Sequence, residues 1–334
     1  MSKIISSILE INSQQWDELI VKSPTASFFQ TRACFDFYAS LSFMKPFVYG
    51  VSEEDRMVGV MCGYIIADGN KLKQFFSRRA IVPGGVLLDV NISLTVLKEF
   101  LNYVAKDLKQ KAIYLEIRNY NDYSSFRSVF EIAGFSYQKH LNFHVDTTDL
   151  DSSLNKLSSS KRRQIKLSLK AGASIAEIKN EDEIVEFYQI LNELYKNKIK
   201  TSLFPRDFFI KLNALPSGKI LVIKFNEKII GGIACVFLDK RIVSEWFVCG
   251  LEGLDKNLYP SVLATWAGIE YAAVNGYNRF DFMGAGKPDE GYGVREFKSK
   301  FGGDLVENGR FLYICKPELY SLGKFIVEKL KKKK

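Results

Sequence analysis

The stretch GYNRFDFMGAGKPDEGYGVREFKSKFGGDLVE, residues 276–307, decides how the rest of the chain is read. Alternating Phe280 and Phe282 mark a short strand, and a glycine-bearing loop with Gly284, Gly286, Gly291 and Gly293 follows. A lysine-bearing turn, Phe297-Lys298-Ser299-Lys300-Phe301, then closes on Gly302 and Gly303. Glycine lets backbone come close to a ligand, and a lysine held between aromatic residues is a placed cation rather than a solvated one. On these residues alone the plainer reading is a surface lysine, with Phe297 and Phe301 filling core. Gly284-Ala285-Gly286-Lys287 is not a P-loop, because the earlier glycine and the following Ser or Thr are missing, and it is not a dinucleotide fingerprint.

Working outward, strands are expected at 220–225, 228–238 and 242–248, then a Pro260-started helix to about 275 and a strand at 280–283. Upstream, a basic helix over 154–170 precedes a strand at 174–178 and a helix at 181–196. The first half has the same grammar. Helices are expected at 13–21, 31–41, 91–110 and 123–133, and strands at 47–51, 57–66, 72–77, 112–117 and 135–145, with a turn signal at 67–70. Two α/β halves of similar size predict two related domains with a boundary near 145–151.

The 334 residues suffice for two cores, and 47% hydrophobic with 25% charged residues is ordinary for a globular chain. The longest apolar run, 229–238, has ten residues with two glycines, too short to cross a bilayer. The N-terminus shows no basic-then-apolar pattern, so a cytoplasmic protein is expected. Cys34, Cys62, Cys235, Cys249 and Cys315 lie far apart and fit reduced, buried thiols. His140 and His144 are separated on a strand by roughly 13 Å, too far to share a metal, and no metal site is expected. The net charge of +9 favours an anionic partner without choosing among nucleic acid, phosphorylated small molecules and anionic lipid. The basic tail at 329–334 is either a solvated end or a peripheral contact with the inner membrane surface.

Through Phe280-Asp281-Phe282, the glycine loop, Phe297-Lys298 and Phe301-Gly302-Gly303, the chain resembles the FemABX family of aminoacyltransferases. The resemblance is strongest over 220–306 and weaker at Arg79-Ala80-Ile81-Val82-Pro83-Gly84-Gly85 and Ser160-Lys161-Arg162-Arg163-Gln164-Ile165. It implies an α/β fold with mixed sheets, two tandem GNAT-like acyltransferase domains. Residues 1–147 with the final helix 317–334 would form the acceptor-binding domain, and 148–316 the donor and catalytic domain. It places Phe297 and Lys298 at the reacting centre, where a fixed cation stabilises the carbonyl oxygen of the tetrahedral state. It also implies that Arg79, Gly84 and Gly85, facing the interdomain cleft, meet an anionic acceptor, and that Gly284, Gly286 and Tyr292 shape the substrate channel. Several relatives carry an aspartate near this point that has been considered as a base; this chain has Arg118 instead, beside Glu116, which leaves the general base open.

Two further segments bear on the donor. The loop 250–260 sits where a CoA-using GNAT enzyme would hold pyrophosphate, yet it lacks the Q/R-x-x-G-x-G/A pattern, and Pro260 removes one donor. Lys161, Arg162, Arg163, Lys166 and Lys170 give cations at four-residue spacing, with Ile165 and Leu169 on the core side. Such a run is either a solvated face or a cradle for phosphates, with Arg162 and Arg163 as contacts. The leading expectation is transfer of an aminoacyl group from aminoacyl-tRNA to an amine of a nucleotide- or lipid-linked peptidoglycan precursor stem peptide, with no cofactor. The second is an acyl-CoA-dependent N-acyltransferase acting on an amino sugar of a surface polysaccharide or glycolipid. The third is a non-catalytic RNA- or lipid-binding module on the same scaffold.

Overall fold

The computed structural model describes residues 2–67, 69, 74, 76–291 and 293–332; Tyr292 and the last two lysines of the tail lie outside them. Contacts divide the chain into two compact units, Met1–His140 with Glu307–Lys334, and Leu141–Val306. Both are mixed α/β.

The first unit carries β1 (Ser2–Ile5), β2 (Lys45–Glu53), β3 (Arg56–Ile66), β4 (Arg79–Gly84), β5 (Leu87–Leu88), β6 (Tyr114–Asn119) and β7 (Ser136–Gln138), joined by β15 (Arg310–Ile314). Their order is β1-β2-β3-β4-β6-β15-β7, with β5 on β3. Around them stand α1 (Ser13–Lys22), α2 (Arg32–Ser40), α3 (Leu94–Leu108) and α4 (Arg127–Ile132). In α3, Leu97, Phe100, Leu101, Val104 and Leu108 recur at helical spacing and share a core with Val82, Leu115, Ile117 and Phe311.

The second unit carries β8 (Leu141–Asp146), β9 (Ser174–Glu177), β10 (Gly218–Phe225), β11 (Lys228–Leu238), β12 (Ile242–Gly250), β13 (Arg279–Asp281) and β14 (Asp304–Glu307). Its helices are α5 (Leu150–Lys156), α6 (Ser159–Lys170), α7 (Glu181–Leu194), α8 (Arg206–Asn213), α9 (Pro260–Val274) and α10 (Gly293–Ser299). The final helix α11 (Pro317–Lys332) belongs to the first unit. The sheet order is β14-β8-β13-β12-β11-β10-β9. Helix α9, started by Pro260, is apolar almost all round, and Gly268 lets it settle against Phe280 and Ile233 where a side chain would collide.

One parallel pairing defines the second sheet. β12 and β13 are in register for three residue pairs only, from Ile242↔Arg279 to Ser244↔Asp281. Beyond them β12 stays with β11, while the other chain keeps to β8 through Phe282 N–H to Phe143 O at 3.2 Å and Ala285 N–H to Leu141 O at 2.7 Å. The two strands therefore diverge at Glu245 and Phe282.

Several sequence expectations change. The strand expected at 135–145 is two: β7 pairs with β15 in the first sheet and β8 with β13 in the second. The change of unit thus comes at 140/141 rather than 147/148, and the chain returns to the first unit at 307, because β15 pairs with β6, rather than at 317. The basic helix over 154–170 is broken after Leu157, where Ser158 caps α6 by accepting from the Lys161 N–H. The strand expected at 72–77 lies partly outside the described residues, and Gln74, Phe76 and Ser77 are helical. Phe297 and Lys298 sit on a helix rather than in a turn.

The end of α10 is held against the end of α5 by Gly302, whose φ is +80° and whose Cβ position is taken by the Lys156 backbone. Gly302→Ala must both strain that conformation and push the two segments apart. We expect a loss of about 2 kcal/mol in denaturant unfolding, with the exposed Gly276→Ala, which meets no neighbouring atom, costing about half as much.

Candidate functional site

The splay between β12 and β13 is where the second unit concentrates buried charge. Lys298, on the last turn of α10, is not a surface residue: its side chain is 11% exposed. The ammonium donates to the Phe282 carbonyl at 2.8 Å and the Gly284 carbonyl at 3.0 Å, and meets Glu245 Oε1 at 3.2 Å. Those acceptors use all three of its N–H groups. Lys298 thus supplies, across the gap, the donors that a neighbouring strand would have given. One turn earlier Arg295 does the same for the loop, donating to the carbonyls of Ala285 at 2.9 Å, Pro288 at 3.3 Å and Glu290 at 3.1 Å, and also to that of Lys287.

Two carboxylates flank this gap with opposite tendencies. Glu245, on β12 beside the bulge that sets Ala234 opposite Phe247 and Cys235 opposite Glu245, is 3% exposed. Its Oε2 has no hydrogen-bond partner among the described residues. Burial pushes its carboxyl above the usual range, Lys298 pulls it back incompletely, and Asp281 adds repulsion. Asp281, at the end of β13, is just as buried and is fully engaged. Its Oδ1 accepts from Asn142 Nδ2 at 2.7 Å and the Met283 N–H at 2.7 Å, and its Oδ2 lies 3.2 Å from His144 Nε2. Burial raises it, but His144, Arg279 and the Asn142 hydrogen bond outweigh burial and hold it below the usual range. Asn142 Oδ1 in turn accepts from the Gly284 N–H at 2.8 Å, and Met283 is held at φ +56°, a conformation that a non-glycine residue adopts only when pinned.

Phe297, next to Lys298, points elsewhere. Lys161 of α6 places its Nζ 4.0 Å from the centre of that ring and 5.4 Å from the Phe301 ring. Lys161 is buried, 6% exposed, and burial pushes its pKa down to about 8, with repulsion from Lys300 in the same sense and the weaker attraction of Glu252 opposing. The inner face of α6 is Lys161, Ile165 and Ser168, whereas Leu169, expected inside, is exposed. Arg163, Lys166 and Lys170 are exposed, and Arg162 donates to the Asn155 carbonyl at 3.1 Å. Gly286 continues the contact with β8, its carbonyl accepting from the Leu141 N–H at 2.9 Å.

The loop between β12 and α9 carries its own anion. Glu252 accepts from the Ser261 N–H at 3.1 Å, and Gly250 packs directly on Ser261. A helix N-terminus so occupied repels a diphosphate instead of cradling it.

The remaining expected contacts lie in the first unit. Arg118 pairs with Glu116 at 2.7 Å, and Glu116 also takes Arg310 at 2.8 Å. Burial raises the Glu116 carboxyl, but the two guanidinium groups overcome it and bring it down to about 2. Arg310 further meets His140 Nε2 at 2.8 Å, so the two histidines serve different sheets. Arg79 lies on β4 opposite Tyr114 and donates to Ser77 O at 3.3 Å. Gly84 and Gly85 have φ of +80° and +87°, and the Tyr123 hydroxyl fills the space beside Gly85 while donating to Val86 O at 2.6 Å. That turn is required by packing. Among the described residues no group of three or more His, Cys, Asp or Glu could hold a metal, and no helix is long and apolar enough to cross a membrane.

The structure brings Lys298 to Gly284, while Phe297 faces Lys161 and Gly286 bonds to β8. Sequence reasoning missed Glu245, Asp281, Asn142, His144, Arg295 and the inward turn of Lys161. Signals existed for two of them: Glu245 interrupts the apolar run 242–248, and Asp281 stands between two phenylalanines.

Each half has the strand and helix order of a GNAT-type acyltransferase domain, and the comparisons agree. The FemAB family model matches residues 224–328. The solved structure of FemX superposes with a TM-score of 0.72 at 14% identity, covering 96% of this chain and 99% of that one. A tandem GNAT protein from the clavulanic acid biosynthesis pathway gives 0.61 at 10% identity, covering 94% and 99%. L-PGS from Bacillus licheniformis gives 0.57 at 14% identity, covering 94% and 96%. No curated protein sequence matches the chain. The chain has the tandem GNAT fold, and the FemAB likeness in sequence covers its 224–328 segment.

Lys161 also makes a stability prediction. Below pH 8 its ammonium is charged in folded and unfolded chains alike and carries the full cost of burial; between pH 8 and 10.5 only the unfolded chain keeps the proton, so this group's effect on stability improves as pH rises. Lys161→Met, which fits the aromatic slot without charge, should raise Tm by a few degrees at pH 7, and the gain should shrink through pH 8–10.5. A lower Tm at both ends of that range would contradict this.

Proposed function

We propose that the chain is an acyltransferase that forms an amide, moving an aminoacyl group from aminoacyl-tRNA to an amine of a peptidoglycan precursor stem peptide. The observation that carries this reading is the Lys298–Glu245 pair, buried between diverging strands within the segment matched by the FemAB family model. The FemX-like fold over nearly the whole chain supports it.

In this mechanism the acceptor amine attacks the ester carbonyl, the new C–N bond forms, and the C–O bond to the ribose breaks. The amine must lose a proton, and Glu245 is the acceptor, filling the role that Arg118 cannot. Its Oε2 is unengaged among the described residues, and burial raises the proton affinity of its carboxylate above the usual range. Once Glu245 is neutral its hold on Lys298 weakens. That contact, at 3.2 Å, is the longest of the three, so it is the one an incoming oxyanion replaces. Glu245 then returns the proton to the departing ribose oxygen. The carbonyls of Phe282 and Gly284 keep the ammonium aimed throughout. In the first unit, Arg118 and Arg79 are the cations offered to the acceptor's phosphates. The Glu252 carboxylate on the α9 N-terminus supports a donor other than acyl-CoA.

A side-by-side transfer assay tests the reading, with labelled mixed aminoacyl-tRNA or labelled acetyl-CoA, each against nucleotide- and lipid-linked peptidoglycan precursors and amino sugars. Label should pass from tRNA to a stem-peptide amine; transfer only from acetyl-CoA would overturn the donor assignment. Glu245→Gln, which keeps an acceptor for Lys298, should lower turnover about 100-fold with little change in KM. Lys298→Ala should cost at least as much. Full turnover in either variant would remove that residue from the mechanism.

A further inference from the structure

We propose that the start of α6 and the end of α10 form a phosphate-binding site, in which the ammonium groups of Lys161 and Lys300 together take a phosphate of the substrate. As an anion site it stands on its own; assigning the phosphate to the RNA end of the donor rests on the transfer proposed above.

A buried charge here lacks a counter-ion among the described residues. Lys161 is 6% exposed, yet its ammonium has no hydrogen-bond or ion-pair partner among the described residues, only the faces of Phe297 and Phe301. Burying an ammonium without a carboxylate is unfavourable, and an aromatic face compensates it on one side only. The charged neighbour with the larger influence is another cation, Lys300, and burial and Lys300 together bring the Lys161 pKa down to about 8. Glu252 attracts Lys161 more weakly, with no ion pair between them, and accepts from the Ser261 N–H.

Backbone geometry brings the two lysines onto adjoining helix ends. The Ser158 N–H donates to the Lys300 carbonyl at 3.0 Å, which fixes the end of α10 against the start of α6. Ser158 Oγ accepts from the Lys161 N–H at 3.3 Å and lies 3.1 Å from Ser160 Oγ. Helix α6 has 12 residues, so its N-terminus contributes positive potential at the same point. Two ammonium groups, a helix N-terminus and two serine hydroxyls suit a phosphate better than a carboxylate, whose single charge leaves one cation uncompensated. A phosphate bound here would lie against the Phe297 ring, next in sequence to Lys298.

The experiment measures binding on the full chain, separately from transfer. Wild type, Lys161→Met and Lys300→Glu are titrated with inorganic pyrophosphate, with an RNA microhelix ending in unpaired CCA, and with a nucleoside diphosphate sugar, followed by Tm shift and calorimetry. Pyrophosphate should bind wild type and raise its Tm, and both variants should weaken that binding at least tenfold. Lys300 is exposed, so Lys300→Glu keeps the test decisive if Lys161→Met folds poorly. A tenfold loss confined to the RNA arm identifies the donor as the source of the phosphate, and one confined to the nucleotide arm identifies the acceptor. Wild type without measurable pyrophosphate binding at millimolar concentration, or variants that bind as wild type does, would overturn the site. Phosphate binding that the variants abolish, in a chain that transfers no aminoacyl group, leaves the site standing and rejects the proposed reaction. Transfer by wild type with phosphate binding indifferent to both substitutions does the reverse.

Discussion

Two cations on one short helix gather the carbonyls of the 282–290 segment: Lys298 takes those of Phe282 and Gly284, and Arg295 takes those of Ala285, Lys287, Pro288 and Glu290. The need arises from the splay of β12 and β13. A chain leaving a strand pairing carries polar backbone groups that must find partners, and here the buried ones find them in side chains. Once the helix is assigned this task, its docking becomes a requirement. Gly302 and Gly303 allow its end to approach Lys156 and His144, and Phe297 and Phe301 close over Lys161. The glycines, the aromatic pair and the lysine of the opening stretch are therefore parts of one clamp.

The same constraint sorts the charges. Asp281 is surrounded by donors and stays ionised, fixing Met283 and, through Asn142, Gly284. Glu245, at the other lip of the splay, has one partner, and burial raises its proton affinity above the usual carboxylate range. Two buried carboxylates whose surroundings push them apart in proton affinity are the usual arrangement for separate structural and proton-transfer duties. Lys298 joins them, since its three N–H groups are shared between backbone it must hold and a carboxylate it can release.

Much of the fold was legible because local chemistry and tertiary structure agree. Thr31 caps α2, Pro260 starts α9, and the apolar run from Lys228 to Leu238 is a central strand as expected. The run 135–145 was not legible as two strands, because alternation marks a strand without saying which sheet it joins; β7 and β8 differ only in their partners. The return of the chain at β15 is hidden for the same reason. In the site, Lys298 was singled out by the family resemblance, whereas its flanks alone favoured a surface lysine; its partners lie 14 or more residues away, and a strand pattern does not show where pairing stops. Lys161 was obscured by its neighbours: among five cations on one helix, only packing against Phe297 singles out the one that turns inward.

The most direct measurement is a double-mutant cycle on the single-turnover transfer rate, with wild type, Lys298→Met, Glu245→Gln and the double variant compared at saturating donor and acceptor. If the two residues act as one unit, in which proton uptake by Glu245 frees Lys298 for the oxyanion, the double variant will be no slower than the slower single variant. If the two losses multiply, the residues act independently, and the coupling between proton transfer and oxyanion stabilisation is contradicted.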